Sequence, residues 1–218
     1  MNNPLTRDFD AILLKIKRLT VIMEEALANK TKSLAVDLAK DVGACLESQK
    51  EGLYESYDED YFTLSTELPT IFRYSMLTAC VSAFDKYLTD TAVNYAQVKN
   101  VAVRIEDLRG NGIVRAQQYF QKVVRMDFPE HNPAWKDIIK VRDLRNCVVH
   151  SDGYIPEHKK DLLAWITKTP GIKLANGCVI ILEPGFIHTV LGWYNSFLVD
   201  FDNTCHSLGL WKSEYSDL

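Results

Sequence analysis

At 218 residues the chain suits a single domain, and 47% hydrophobic with 25% charged residues is ordinary soluble globular composition. The net charge of −4 excludes a broadly basic nucleic-acid coat but leaves room for a local basic site. Five cysteines, at 45, 80, 147, 178 and 205, are an odd number with no Cys-x-x-Cys pair, which argues for a reduced cytoplasmic setting over a disulfide framework or a zinc site.

The first residues lack the basic-then-apolar layout of a signal peptide. Residues 5–28 set Phe9, Ile12, Ile16, Leu19, Met23 and Leu27 on one helical stripe, and 33–50 continue through Leu34, Leu38, Val42 and Leu46. Residues 1–50 therefore read as N-terminal helices of a bundle, with a dimer or partner surface as the other reading. Residues 51–69 carry Glu51, Glu55, Asp58, Glu59, Asp60 and Glu67 without a Lys or Arg, and Pro69 closes them. This is an acidic, solvated connector, or alternatively a strip that repels or mimics nucleic acid. From 70 to 98 a second long helix turns Phe72, Met76, Phe84, Tyr87 and Tyr95 towards the core. Residues 99–126 hold six basic residues (Lys99, Arg104, Arg109, Arg115, Lys122, Arg125) against Glu106 and Asp107, a net +4 that is either a solvated face or a phosphate-facing patch.

Pro129 and Pro133 end that stretch and precede a helix centred on Trp135–Gly153. Beyond it, 157–168 reads as a short surface helix behind Pro156, and 172–182 as a hairpin turning at Asn176-Gly177. Pro184 opens a last helix whose Ile187, Val190, Tyr194, Phe197, Phe201 and Cys205 are core-like. The most apolar region, 178–201, is broken by Glu183, Pro184, His188 and Asn195, so it reads as buried rather than membrane-spanning. The expected fold is mainly all-α, a helical bundle with a small β-hairpin before the C-terminal helix. Residues 70–210 form its core, and a tail from Trp211 is expected to be loose.

The central helix contains a conflict. Ile138, Val141, Leu144 and Val148 recur as on a buried face, and at about 100° per residue Arg145 falls inside their arc. Val141, Val148 and Val149 are its neighbours one turn away, and none suits a solvated charge. Arg142, Asn146 and His150 form a polar ribbon beside it, while Lys136, Lys140 and Asp143 take the opposite, wet side. Asp152-Gly153 reads as a helix stop, leaving His150 in the last turn, where the helix dipole favours its protonated form. A guanidinium on a buried arc needs an anion or a hydrogen-bonding partner. Arginine suits phosphate because its planar fork donates two parallel hydrogen bonds, and histidine is the usual proton carrier near neutral pH. Read structurally instead, Arg145 and Asn146 tie helix ends together and His150 caps carbonyls. A zinc set from His150, Asp152 and His158 has no known spacing to support it, so neither a metal nor another cofactor is expected.

The string Leu144-Arg-Asn-Cys-Val-Val-His-Ser-Asp-Gly153 resembles the Arg-polar-x-x-x-His motif of HEPN domains, helical modules of many prokaryotic toxin and antiviral ribonucleases. The resemblance spans roughly residues 70–206 and implies a HEPN-like bundle acting as a homodimeric, metal-independent endoribonuclease in toxin–antitoxin or antiviral defence. It implies RNA as partner, with an antitoxin or defence-complex protein as a further one, and no membrane. Arg145, Asn146 and His150 are the catalytic candidates: His150 moves protons, Arg145 holds the scissile phosphate, and Asn146 orients either. Arg142 is a candidate phosphate contact. Asp85 would orient the basic motif from the preceding long helix, or else share a wet face with Lys86. The rival is a non-catalytic HEPN module that binds RNA, nucleotide or a partner protein.

Overall fold

The computed structural model describes residues 4–209, and the tail from Trp211 lies outside them. Helix α1 (Pro4–Ala44) runs without a break through the stretch expected to separate two helices. No Gly or Pro interrupts it there, and the Thr31 hydroxyl closes back on the Leu27 carbonyl at 2.9 Å. Its buried face is Thr6, Phe9, Leu13, Ile16 and Thr20, so Ile12 and Leu19 of the expected stripe are exposed. Two threonines that the apolar pattern does not mark are buried with their hydroxyls satisfied. Thr20 bonds the Ile16 carbonyl at 2.9 Å, and Thr6 bonds side chains of two other helices.

The acidic segment is helical: α2 (Lys50–Phe62) contains no buried residue and passes through a π-turn (Thr63–Glu67) directly into α3 (Leu68–Val98). The wide turn lies just before Pro69, whose ring has no N–H to give the ladder and crowds the preceding carbonyl. Helix α4 (Gly112–Tyr119) ends in a second π-turn (Phe120–Val124) stopped by Arg125 at φ 58°. Then follow α5 (Pro133–Ser151), α6 (Lys160–Ile166), the antiparallel pair β1 (Ile172–Ala175) and β2 (Val179–Leu182), and α7 (Phe186–Ser207). Asn176 and Gly177 both have positive φ, 49° and 74°, the pairing a tight I′ hairpin turn requires. The fold is the expected helical bundle with a hairpin before its final helix.

Aromatic rings from several helices fill the core. Phe9 stacks on Tyr87 at 4.8 Å, Phe84 on Tyr194 at 4.4 Å and Trp135 on Phe197 at 4.9 Å, while Phe120 meets Phe201 edge-on at 5.2 Å. Every residue assigned to the core from α7 is buried. A bidentate pair, Arg73 Nε and Nη2 to the Glu24 carboxylate at 2.7 Å each, joins α3 to α1, and Arg73 Nη1 donates to the Leu182 carbonyl of β2 at 2.9 Å. No described helix is long and apolar enough to cross a membrane.

Candidate functional site

Helix α5 is fixed at both ends. At its start Asn132 accepts the Ala134 N–H at 2.9 Å, while its amide donates to Asp200 at 2.7 Å and the Ser196 carbonyl at 3.3 Å. Pro133 follows at a position where its missing N–H costs nothing. At the other end Asp152 and Gly153 take positive φ, 48° and 81°, and the Gly153 N–H returns to the Cys147 carbonyl at 3.1 Å. Gly153 is required twice over, because a Cβ there would lie 2.1 Å from the Tyr74 hydroxyl of α3. That hydroxyl donates to the Ile180 carbonyl at 2.6 Å, and burial with help from the Asp152 charge pushes it up to about 12. Ile180 N–H in turn donates to the Gly153 carbonyl at 3.0 Å. Helix end, α3 and hairpin are thereby locked one turn beyond His150.

Because α3 and α5 run antiparallel, Tyr74 meets the end of α5 while Asp85 lies level with Arg145. Arg145 is partly buried; its Nε is shielded from solvent and has no hydrogen-bond partner. Asp85 is turned inward, not shared with Lys86, which pairs with Asp90 at 2.7 Å on the wet face. One Asp85 oxygen is shielded and unpartnered, and burial raises its carboxyl above the ordinary value while the charges of Arg145 and Arg115 pull it back down. Gly112, the first residue of α4, sits so close that a Cβ on it would be 3.2 Å from the Asp85 carboxylate. Arg115 follows three residues on, on the same face of α4, and its Nε too is shielded and unpartnered. Beneath them Tyr194 of α7 is only 1% exposed, with a hydroxyl that has no hydrogen-bond partner among the described residues. Burial holds it well above its ordinary value; Cys80 adds to the rise, Arg145 opposes it and Asp85 adds again. One polar cluster thus joins α3, α4, α5 and α7.

The other sequence candidates divide. Asn146 is partly buried and His150 exposed, and neither has a hydrogen-bond partner among the described residues. Val149 is 49% exposed, so Arg145 sits at the margin of the buried arc and not within it. Arg142 turns to its neighbour Asp143, bonding one carboxylate oxygen through Nη2 at 2.6 Å and Nε at 3.1 Å. That pairing corrects the expectation for Asp143 alone, which was placed on the opposite, wet side from Arg142 and instead meets it. Among the six basic residues of 99–126 only Arg115 is drawn inward; the others are exposed. Sequence reasoning counted Arg115 as one charge in a stretch and Tyr194 as plain core. The signal available for Arg115 was Gly110-Asn-Gly112 opening a short helix three residues before it.

Between α3 and α5 runs an open groove of about 430 Å³ lined by Tyr74, Ser75, Thr78, Ala79, Ser82 and Val148. Val149, next to the groove-lining Val148 and one helical turn from Arg145, is exposed. Among the described residues no group of three or more His, Cys, Asp or Glu is placed to hold a metal ion. No family model, curated protein or solved structure matches the chain.

Proposed function

We infer that the chain is a HEPN-like, metal-independent endoribonuclease that cleaves RNA through attack of a ribose 2′-OH on the adjacent phosphate, in a toxin–antitoxin or antiviral defence setting. One observation carries the reading: a partly buried Arg145, whose shielded Nε has no hydrogen-bond partner among the described residues, lies beside Asp85 and shares a helix with an exposed and uncommitted His150. The 2′-oxygen forms its bond to phosphorus as the bond to the 5′-oxygen breaks, giving a 2′,3′-cyclic phosphate and a 5′-hydroxyl. His150 moves the protons, Arg145 neutralises the charge that gathers on the phosphate, and Asn146 orients phosphate or imidazole. Asp85 is a positioning residue for Arg145.

Arg145 and His150 are five residues apart, which on a helix is about 140° and a rise of about 7.5 Å. One chain therefore does not bring both to one phosphorus, and a second copy completes the cleft. The open α3–α5 groove and the exposed Val149 beside it support that arrangement. The same separation, together with the net charge of −4, favours the second reading, a non-catalytic module that binds RNA, nucleotide or a partner protein.

Incubating wild type and His150→Ala with total RNA in excess chelator tests the proposal. Cleavage by wild type alone, with 2′,3′-cyclic phosphate ends, is the expected result. Intact RNA at concentrations where the chain is dimeric, or equal cleavage by both proteins, overturns it.

A further inference from the structure

Asp85 cannot satisfy the two arginines that flank it. A guanidinium offers five N–H donors, and no described residue accepts a hydrogen bond from Arg115 or Arg145 through any of them. The cluster holds two fixed positive charges against a single carboxylate, so at least one positive charge is left over. Shielded donors without acceptors are costly, and a fold keeps them where an acceptor arrives from outside. Two guanidiniums approaching from different helices suit a group that accepts several hydrogen bonds and carries negative charge, which describes a phosphodiester. The entry to α4 adds to the fit. Gly110 and Gly112 take φ of 101° and 57°, bringing the backbone of that helix start against the cluster without side chains in the way. Tyr194 supplies a further buried hydroxyl facing the same charges.

We propose that Arg115 is a substrate-binding residue, forming with Arg145 one phosphate-binding site for a phosphodiester of single-stranded RNA. The identity of the ligand as RNA rests on the ribonuclease reading; the anion site itself rests on the two arginines. Asp85 then offsets part of the charge of the two guanidiniums, and the phosphate supplies the acceptors that Asp85 does not. The other basic residues of 99–126 contribute only a screened, diffuse field, because they are exposed.

The experiment is carried out on the His150→Ala chain, so that binding is read without cleavage. Its probe is a fluorescent 2′-O-methyl RNA oligonucleotide of about ten nucleotides, titrated across a salt series. Arg115→Gln is expected to weaken binding about tenfold and to reduce the salt slope by about one, whereas Lys122→Gln, on the same segment but exposed, changes affinity less than about twofold. Arg115→Lys keeps the charge but loses the fork, so it should fall between the two. Equal affinities for Arg115→Gln and Lys122→Gln, with melting temperatures unchanged, overturn the proposal. If Arg115→Gln melts early, Arg115→Lys decides: wild-type affinity overturns the site, and intermediate affinity upholds it. Inorganic phosphate displacing the probe at micromolar concentration overturns the assignment to a polynucleotide in favour of a free-phosphate ligand. Oligonucleotide binding that depends on Arg115, in a chain whose wild type cleaves no RNA, keeps the site and removes the ribonuclease.

Discussion

Helices α3 and α7 each contribute a tyrosine or an aspartate to two different polar clusters. In one, Tyr87 of α3 and Asp202 of α7 meet Thr6 of α1. The carboxylate accepts from both hydroxyls at 3.0 Å, and the hydroxyls lie 3.0 Å from each other. In the other, Asp85 of α3 and Tyr194 of α7 meet Arg145 and Arg115, and shielded polar atoms of all four lack a hydrogen-bond partner. Burial raises both carboxyls before anything else acts. What offsets it differs: hydrogen bonds from Tyr87 and Thr6 at Asp202, and the charges of Arg145 and Arg115 at Asp85. Hydrogen-bonding capacity that is used up inside the chain holds helices together. Capacity left open at the meeting point of four elements is available to a ligand.

Removing the acid from the closed cluster should have the larger effect on the fold. Asp202→Ala takes the shared acceptor from two hydroxyls that are otherwise buried, at an expected cost of about 2 kcal/mol. In a chain of this length that is roughly 4–8 °C in Tm, read by circular dichroism. A Tm within a degree of wild type would mean that the triangle adds nothing to the docking of α1.

Removing the acid from the open cluster should act in the opposite direction on stability. The folded chain holds the Asp85 proton more tightly than the unfolded chain does, because burial outweighs the two arginines. Ionised Asp85 therefore subtracts from stability above its raised value, and the subtraction vanishes once the pH falls below the ordinary carboxylate range. Asp85→Asn is expected to raise Tm by about 1–3 °C at pH 7–8 and to leave it unchanged near pH 3. RNA cleavage should fall about tenfold at the same time, as Arg145 loses the charge that positions it. A lower Tm at pH 7 would make Asp85 an ordinary structural ion-pair partner.

The difference between the clusters was only half visible in the sequence. Local chemistry was legible: Asn176-Gly177 turns the hairpin, Asp152-Gly153 ends α5, and the α7 core positions are buried as read. Arg145 stood out because a charge beside Val141 and Val148 conflicts with its surroundings. Partners set by tertiary packing were not legible. Nothing near Thr6 in sequence announces Tyr87 or Asp202, and nothing near Arg115 announces that α4 starts against Asp85. The phase of α1 failed for the same reason, since Thr6 finds Asp202 on a neighbouring helix and Thr20 satisfies its hydroxyl on the Ile16 carbonyl, where hydropathy favours Ile12 and Leu19. Arg142 shows the converse, a local pairing with Asp143 that helical periodicity places on another side.

The finest test compares the two tyrosines, because each change removes one oxygen atom and leaves the ring in place. Tyr87→Phe deletes a hydroxyl that donates to Asp202 and lies 3.0 Å from the Thr6 hydroxyl, and should cost about 1 kcal/mol. Tyr194→Phe deletes a hydroxyl with no partner among the described residues, so there is no hydrogen bond to lose and the cost of having stripped it of water is recovered. Its ring keeps the Phe84 stacking at 4.4 Å. Stability should then be unchanged or higher by up to about 1 kcal/mol, measured by urea unfolding with an unaltered m-value. A loss as large as that of Tyr87→Phe would show that the hydroxyl is bound within the folded chain, and the open cluster would then be as closed as the other. An unchanged stability with weakened RNA binding would instead place the Tyr194 hydroxyl among the groups that the ligand satisfies.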